Sequence, residues 1–332
     1  MTVLVTGGAG YIGAHMLLAL EDAGEKAIAI DNLSTGAEWL APKSAPLIVA
    51  DVGDTDALQQ IFDEHDVTEV IHFAGSILIG QSIKDPFSYY RNNTANTLAL
   101  LEACIRNNVW NFIFSSTASV YGRPERVPVS ESAAVQSITP YGASMAMSER
   151  ILVDAAAAYN INFMTLRYFN VAGADPSGRA GEIGKPTHLI KVAAQIAVGT
   201  RQEELQIYGD DYPTPDGTAI RDYVHVSDLA EAHLQALELL RKGGPSTTLN
   251  CGYGRGYSVR EVVEAVSRVT GKPLPYTVGP RRPGDPPQLI ADSAAIRTRL
   301  DWRPRYDDID FIVRSAIDWE RILASMDKEK AS

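Results

Sequence analysis

Only two of the 332 residues are cysteine, Cys104 and Cys251. Two are too few for a disulfide framework, and nothing else in the composition asks for an oxidising compartment. Positive charge is also short. Lys and Arg number 30 against 41 Asp and Glu, a formal net charge of −11. That argues against a general binder of nucleic acid or of an acidic membrane, since both require a basic surface. It leaves room for a local basic pocket around one phosphorylated small molecule. No apolar run approaches the ~18 residues of a membrane span. The start, Met1-Thr2-Val3-Leu4-Val5, lacks the basic segment of a cleaved export signal, so the cytoplasm is the expected compartment. No His/Cys/Asp spacing suggests a zinc site, and no metal is expected.

What is present has a globular balance, with 45% hydrophobic and 21% charged residues, and a length that favours two packed lobes over one. Through the first half, short β-branched runs alternate with helical patterns. Strands are expected at Val3–Val5, Ala27–Ile30, Leu47–Ala50, Val70–Phe73, Phe112–Ser115 and Phe163–Leu166, and helices at Ile12–Ala23, Ala57–His65, Phe87–Asn107 and Tyr141–Tyr159. This alternation predicts an α/β fold with a Rossmann-type doubly wound parallel sheet. After about Asn170 the rhythm breaks into glycine- and proline-rich stretches, with helices expected at Val226–Arg241, Ser293–Leu300 and Ile309–Ala324. The charged tail Asp327–Lys330 is expected to fray. Two domains follow: a cofactor-binding Rossmann domain over 1–170 and a smaller mixed α/β substrate lobe over 171–332. The boundary is approximate, because such lobes often exchange segments.

Thr6-Gly7-Gly8-Ala9-Gly10-Tyr11-Ile12-Gly13 joins the first strand to the first helix. Glycines at Gly7, Gly10 and Gly13 allow a tight turn and close backbone approach, and the helix N-terminus offers amides to a pyrophosphate. Asp31, ahead of Asn32, ends the second strand, where a carboxylate accepts hydrogen bonds from an adenosine ribose diol. A carboxylate repels a 2′-phosphate, so NAD is favoured over NADP. Asp51 and Val52, after the third strand, suit the adenine edge.

Further motifs carry a wider resemblance: His72-Phe73-Ala74-Gly75, Tyr89-Tyr90-Arg91-Asn92-Asn93, Ser115-Ser116-Thr117-Ala118-Ser119-Val120-Tyr121-Gly122 and Pro140-Tyr141-Gly142-Ala143-Ser144-Met145. Arg167-Tyr168-Phe169-Asn170, the run Gly209–Thr218 and Arg221-Asp222-Tyr223-Val224-His225-Val226 complete it, in order, to about Trp319. Together they resemble the extended short-chain dehydrogenase/reductase family and, within it, the UDP-sugar 4-epimerases. The resemblance implies NAD-dependent 4-epimerisation of a UDP-hexose, UDP-glucose or UDP-galactose, through a transient 4-keto sugar. It places Tyr11, Ile12, Phe73, Ala74, Gly75, Asn92, Ser115 and Phe169 around NAD. Tyr141 would take the proton of the sugar's 4-hydroxyl, and Thr117 would hydrogen-bond the 4-oxygen. Related dehydratases and decarboxylases carry acids after the threonine; here Ala118-Ser119 offer none.

One position departs from the pattern. A phenol at its ordinary pKa of about 10 is a poor base near neutral pH, and the family places a lysine four residues after the tyrosine, one helical turn away. Here that residue is Met145, and no lysine occurs from Tyr141 to Tyr159. The expectation is a chain that folds and binds its ligands but turns over slowly. Two readings of Met145 stand: an inactivating substitution in an otherwise ordinary epimerase, or a non-catalytic relative that binds NAD and a UDP-sugar.

For the substrate, the resemblance places Asn170 near the phosphate or sugar and His188-Leu189 beside the diphosphate. Tyr208 would stack on uracil, Arg221 and Arg282 would clamp the diphosphate, and Asp285 would take the uridine ribose. Arginine suits the clamp because its planar fork makes paired charge-assisted bonds. Leu289 falls where the family gates the space beside C2 of the sugar, so UDP-N-acetylhexosamine, UDP-xylose/arabinose and UDP-uronate remain alternative substrates. The resemblance further implies a homodimer through the helices near 87–107 and 141–159.

Overall fold

A computed structural model describes residues 1–184, 188–282 and 284–331. The glycine- and proline-rich stretches reach into 185–187 and 283, which lie outside the described residues. The chain opens as β1 (Thr2–Thr6), α1 (Tyr11–Asp22), β2 (Ala27–Asp31), β3 (Leu47–Val49), α2 (Thr55–Glu64) and β4 (Val67–His72). Next come α3 (Ile79–Lys84), α4 (Pro86–Tyr89), a π-helical turn at Tyr90–Ala95, and α5 (Asn96–Arg106). Strand β5 (Asn111–Thr117), α6 (Pro140–Ala158) and β6 (Asn162–Tyr168) complete the first half.

The expected single helix Phe87–Asn107 is therefore two α-helical pieces joined by a π turn. The cause is competition for one carbonyl. The Asn93 oxygen accepts from the Thr97 hydroxyl at 2.5 Å and the Ser148 hydroxyl at 3.0 Å, which opens the regular ladder there.

Seven parallel strands form the main sheet in the order β10-β6-β5-β4-β1-β2-β3. Alternation along the strands sends Val3, Val5, Ile71 and Ile113 to one face and Leu4, Ile28, Val70 and Phe112 to the other. Both faces are covered, as a parallel sheet requires. The order reverses between β1 and β4, so a crevice lies beyond their carboxyl ends.

The later half supplies β7 (Asn170–Ala172), α7 (Leu189–Val198), β8 (Leu205–Tyr208), β9 (Ile220–His225), α8 (Val226–Arg241) and β10 (Thr247–Cys251). It continues with β11 (Gly256–Ser258), α9 (Val259–Thr270), β12 (Tyr276–Gly279), β13 (Gln288–Leu289), α10 (Ala294–Leu300) and α11 (Ile309–Ala331). Strand β10 pairs with β6 at the edge of the main sheet, whereas β7, β11 and β13 gather around β9. The tail over 327–330, expected to fray, continues α11. Trp302 is fully buried, and its indole donates to the Asp228 carbonyl at 3.0 Å. Among the described residues, no helix is long and apolar enough to cross a membrane.

Candidate active site

The loop from Gly7 to Gly13 occupies the crevice. A Cβ on Gly13 would lie 2.0 Å from the Gly7 oxygen, so only glycine lets α1 start this close to the turn. Gly10 caps α1 without any side-chain hydrogen bond, and no acid stands in its first turn. The positive end of the helix is left for an anion. Beside it, the Asp31 carboxylate accepts from the Ala9 amide at 3.0 Å and from the Leu33 amide at 2.8 Å. Each oxygen keeps a lone pair, which fits the two hydroxyls of a ribose. Asp51 accepts from Asn32 at 2.8 Å and Asn96 at 2.9 Å, with Val52 buried next to it. Across the switch point the Phe73 amide donates to Thr6 at 3.1 Å, which seats Phe73-Ala74-Gly75 against the turn. The cradle, the uncapped helix and the carboxylate fit NAD.

Deeper in the crevice, β5 ends at Thr117 and α6 begins beside it. The close approach depends on Gly142, where a Cβ would sit 2.5 Å from the Ser119 oxygen. Thr139 caps α6, its hydroxyl accepting from the Gly142 amide at 3.2 Å. Tyr141, Met145 and Phe169 pack in one buried cluster, with Leu289 and Ala74 against its margin. Burial pushes the Tyr141 phenol up to about 12, with the neighbouring Thr117 hydroxyl pulling it down and the Tyr89 phenol raising it. No cation is among the groups that set this value. Met145, one turn along α6 and 9% exposed, fills the space with a thioether.

The same face of α6 carries Glu149, one further turn on. Its carboxylate takes the Ser116 hydroxyl and a two-pronged bond from Arg167, at 2.9 Å from Nε and 2.5 Å from Nη2. Arg167 also reaches the Tyr121 hydroxyl at 2.9 Å, and Tyr121 donates to Asn250 at 2.6 Å. This buried chain fixes the end of β5, and hence Thr117, against α6. On the other flank, Asn93 accepts from the Ser76 amide at 2.7 Å and donates to the Ser144 hydroxyl at 3.0 Å. Asn92 donates to the Ser76 hydroxyl at 2.9 Å. Ser115 is buried. Sequence reasoning did not assign Glu149, Asn93 or Ser144, although the last two stand inside motifs it had singled out.

The proposed substrate residues fall into two groups. Arg221 on β9 registers with Leu289 on β13, and its guanidinium lies 3.9 Å from Asp285. The Arg282 guanidinium lies 3.8 Å from the centre of the Tyr208 ring, and the Arg282 carbonyl accepts from the amide of the same Asp285. A guanidinium over a phenol ring is a favourable cation–π contact. Asn170, His188 and Leu189 line a small cavity together with Lys191, Trp319 and Glu320. Among the described residues, no group of three His, Cys, Asp or Glu side chains is placed to hold a metal.

Comparison with known proteins fits this geometry. The model of the NAD dependent epimerase/dehydratase family matches residues 3–252. A UDP-glucose 4-epimerase of Azospirillum brasilense is 55% identical over 322 residues, 97% of this chain and 92% of the relative. The solved UDP-glucose 4-epimerase of Brucella ovis in complex with NAD superposes with a TM-score of 0.92 at 43% identity, covering 96% of this chain and 97% of that one. That of Bifidobacterium longum, in complex with NAD+ and UDP, gives 0.91 at 38%, covering 97% and 98%.

Proposed function

The chain belongs to the NAD dependent epimerase/dehydratase family, and we propose that it interconverts UDP-glucose and UDP-galactose by inverting C4, with NAD as cofactor. The observation that carries this is the pairing of Thr117 and Tyr141 beyond the carboxyl end of β5, beside the Gly7–Gly13 cradle. The cradle and the N-terminus of α1 would hold the pyrophosphate, Asp31 the adenosine ribose, and Asp51 and Val52 the adenine. Phe73–Gly75, Asn92, Ser115 and Phe169 would surround the nicotinamide end. When bound, NAD would supply a reversible hydride acceptor.

The chain's own residues manage the proton and the sugar. Tyr141 takes the proton from the 4-hydroxyl, and Thr117 holds the 4-oxygen and steadies it as charge shifts. The surrounding apolar cluster keeps water from the carbonyl that forms. In the later half, Tyr208 supports the uracil, Asp285 the ribose, and Arg221 and Arg282 the diphosphate, with Arg282 leaving the tyrosine face to do so. Asn170, His188 and Leu189 approach the sugar-phosphate side. Residues 1–170 thus serve the cofactor and 171–332 the substrate, while β10 crosses back to the main sheet.

Met145 tempers the reading. With the phenol at about 12 and no cation beside it, turnover is slow. The test is conversion of UDP-galactose to UDP-glucose by NAD-loaded protein, compared with Met145→Lys. Absence of bound NAD, or of conversion by both proteins, overturns the proposal. A second copy is expected to pair across α5 and α6, whose groove is lined by Leu98, Leu101, Ile151 and Tyr159, and sedimentation gives the state. Both cysteines are free and buried, which suits a cytoplasmic protein.

A further inference from the structure

Lysine is an unexpected residue in the first turn of α7. A cation there opposes the helix dipole, and this one is buried: the Lys191 side chain is 4% exposed. Its ammonium is paired with the Glu320 carboxylate of α11, itself 3% exposed. A buried ion pair adds little stability over apolar side chains of the same size, so stability does not account for it. Orientation does. Lys191 also donates to the Glu182 carbonyl at 2.5 Å, and the Trp319 indole donates to that carbonyl at 3.0 Å. The Glu182 carboxylate, so placed, meets His188 Nδ1 at 2.8 Å. His188 stands at the N-cap of α7 but makes no cap bond. With Nδ1 taken, only Nε2 is left to meet a ligand.

We infer that Lys191, neutralised by Glu320, is a positioning residue for substrate, acting through Glu182 to present His188 as a cationic donor to the diphosphate side of a nucleotide sugar. The inference rests on the UDP-sugar reading above. The titratable groups around the cavity are Glu182, Lys191, Glu320 and Tyr223, with the Tyr11 phenol within reach of Glu182. Burial pulls the His188 imidazole down, and the Glu182 carboxylate more than offsets it, leaving the ring above the ordinary histidine range. The imidazolium therefore persists to higher pH than in a free histidine, and diphosphate affinity falls as pH rises through that raised value.

The test is calorimetric titration of UDP into the NAD-loaded full chain between pH 6 and 9. Lys191→Met with Glu320→Gln removes both charges together, so no orphan charge remains in the core. The expected result is a melting temperature near that of the parent, UDP bound about tenfold more weakly, and a pH step moved towards an ordinary histidine. Unchanged affinity with an unchanged pH step overturns the positioning role. Should that double variant not fold, Glu182→Gln decides alone: it leaves Lys191 in place and is expected to move the same pH step, and an unmoved step overturns the proposal. If the parent protein itself fails to bind UDP, the substrate reading falls rather than this one.

Discussion

Replacing Met145 with lysine is the sharpest test of how the site works. With the Tyr141 phenol at about 12, about one molecule in ten thousand carries phenolate at pH 8. An ammonium one helical turn away lowers such a value by about 1–3 units, which raises the phenolate population about 10- to 1,000-fold. The weaker base that results is a poorer proton acceptor, so the rate gain is smaller than the population gain. We expect conversion of UDP-galactose to accelerate by about 10- to 100-fold at pH 8. The pH profile gives an independent reading. In the parent the rate climbs with pH through the alkaline range, because the active form is the deprotonated one. In Met145→Lys the plateau is reached at lower pH.

The substitution has a structural cost. Met145 is 9% exposed, and placing an ammonium there without a partner costs about 3–5 kcal/mol, seen as a lower melting temperature. The cost falls when the phenol ionises, so the deficit narrows at high pH. Adding Tyr141→Phe to the lysine variant should abolish the gain. A folded, NAD-loaded Met145→Lys protein that is no faster than its parent, with an unshifted pH profile, refutes the argument that a missing cation limits the rate.

Three further outcomes follow from the geometry. Gly13→Ala places a methyl 2.0 Å from the Gly7 oxygen; the loop must shift, at about 1–3 kcal/mol, and NAD content after purification should drop sharply. Glu149→Gln leaves the buried Arg167 guanidinium without its counter-ion, so urea denaturation should show a loss of about 3–5 kcal/mol, together with a lower rate as Thr117 loses its support. Burial lowers four histidines, His15 and His233 to about 4 and His72 and His225 to about 3. Their folded values lie below the unfolded one near 6.5, so stability is full above that value and is lost as pH falls towards 4. Each contributes a loss of about 2 kcal/mol by pH 5, and a urea midpoint that does not move between pH 7 and 5 refutes the burial argument.

The parts legible in the sequence were those written in local pattern. Short β-branched runs marked six of the seven strands of the main sheet to within a few residues, because buried parallel strands have no polar face to confuse the reading. The glycines at Gly7, Gly10 and Gly13 announced a turn whose tightness leaves no room for a side chain. The second half was harder. Strand β10 pairs with β6 from far along the chain, which no local pattern records. Helix α9 did leave a signal, a capping box between Ser258 and Glu261 followed by Val262, Val263 and Val266, and it went unread among glycines and prolines.

The site residues divide along the same line, for a physical reason. In the proposed reaction Tyr141 and Thr117 would touch the reacting atoms, which restricts them to few residue types, and a motif records it. The residues that support the site do so through partners outside their own motif. Glu149 reaches Ser116 and Arg167, Asn93 reaches Ser76 and Ser144, and Lys191 reaches Glu182 and Glu320. Each side chain alone reads as an ordinary polar residue on a helix. Its role exists only once the fold has brought the partner within hydrogen-bonding distance and removed water from both. Met145 is the converse case. The motif exposed it as an absence, and the structure supplied the consequence: a phenol held near 12 by burial, with no cation among the groups that set it.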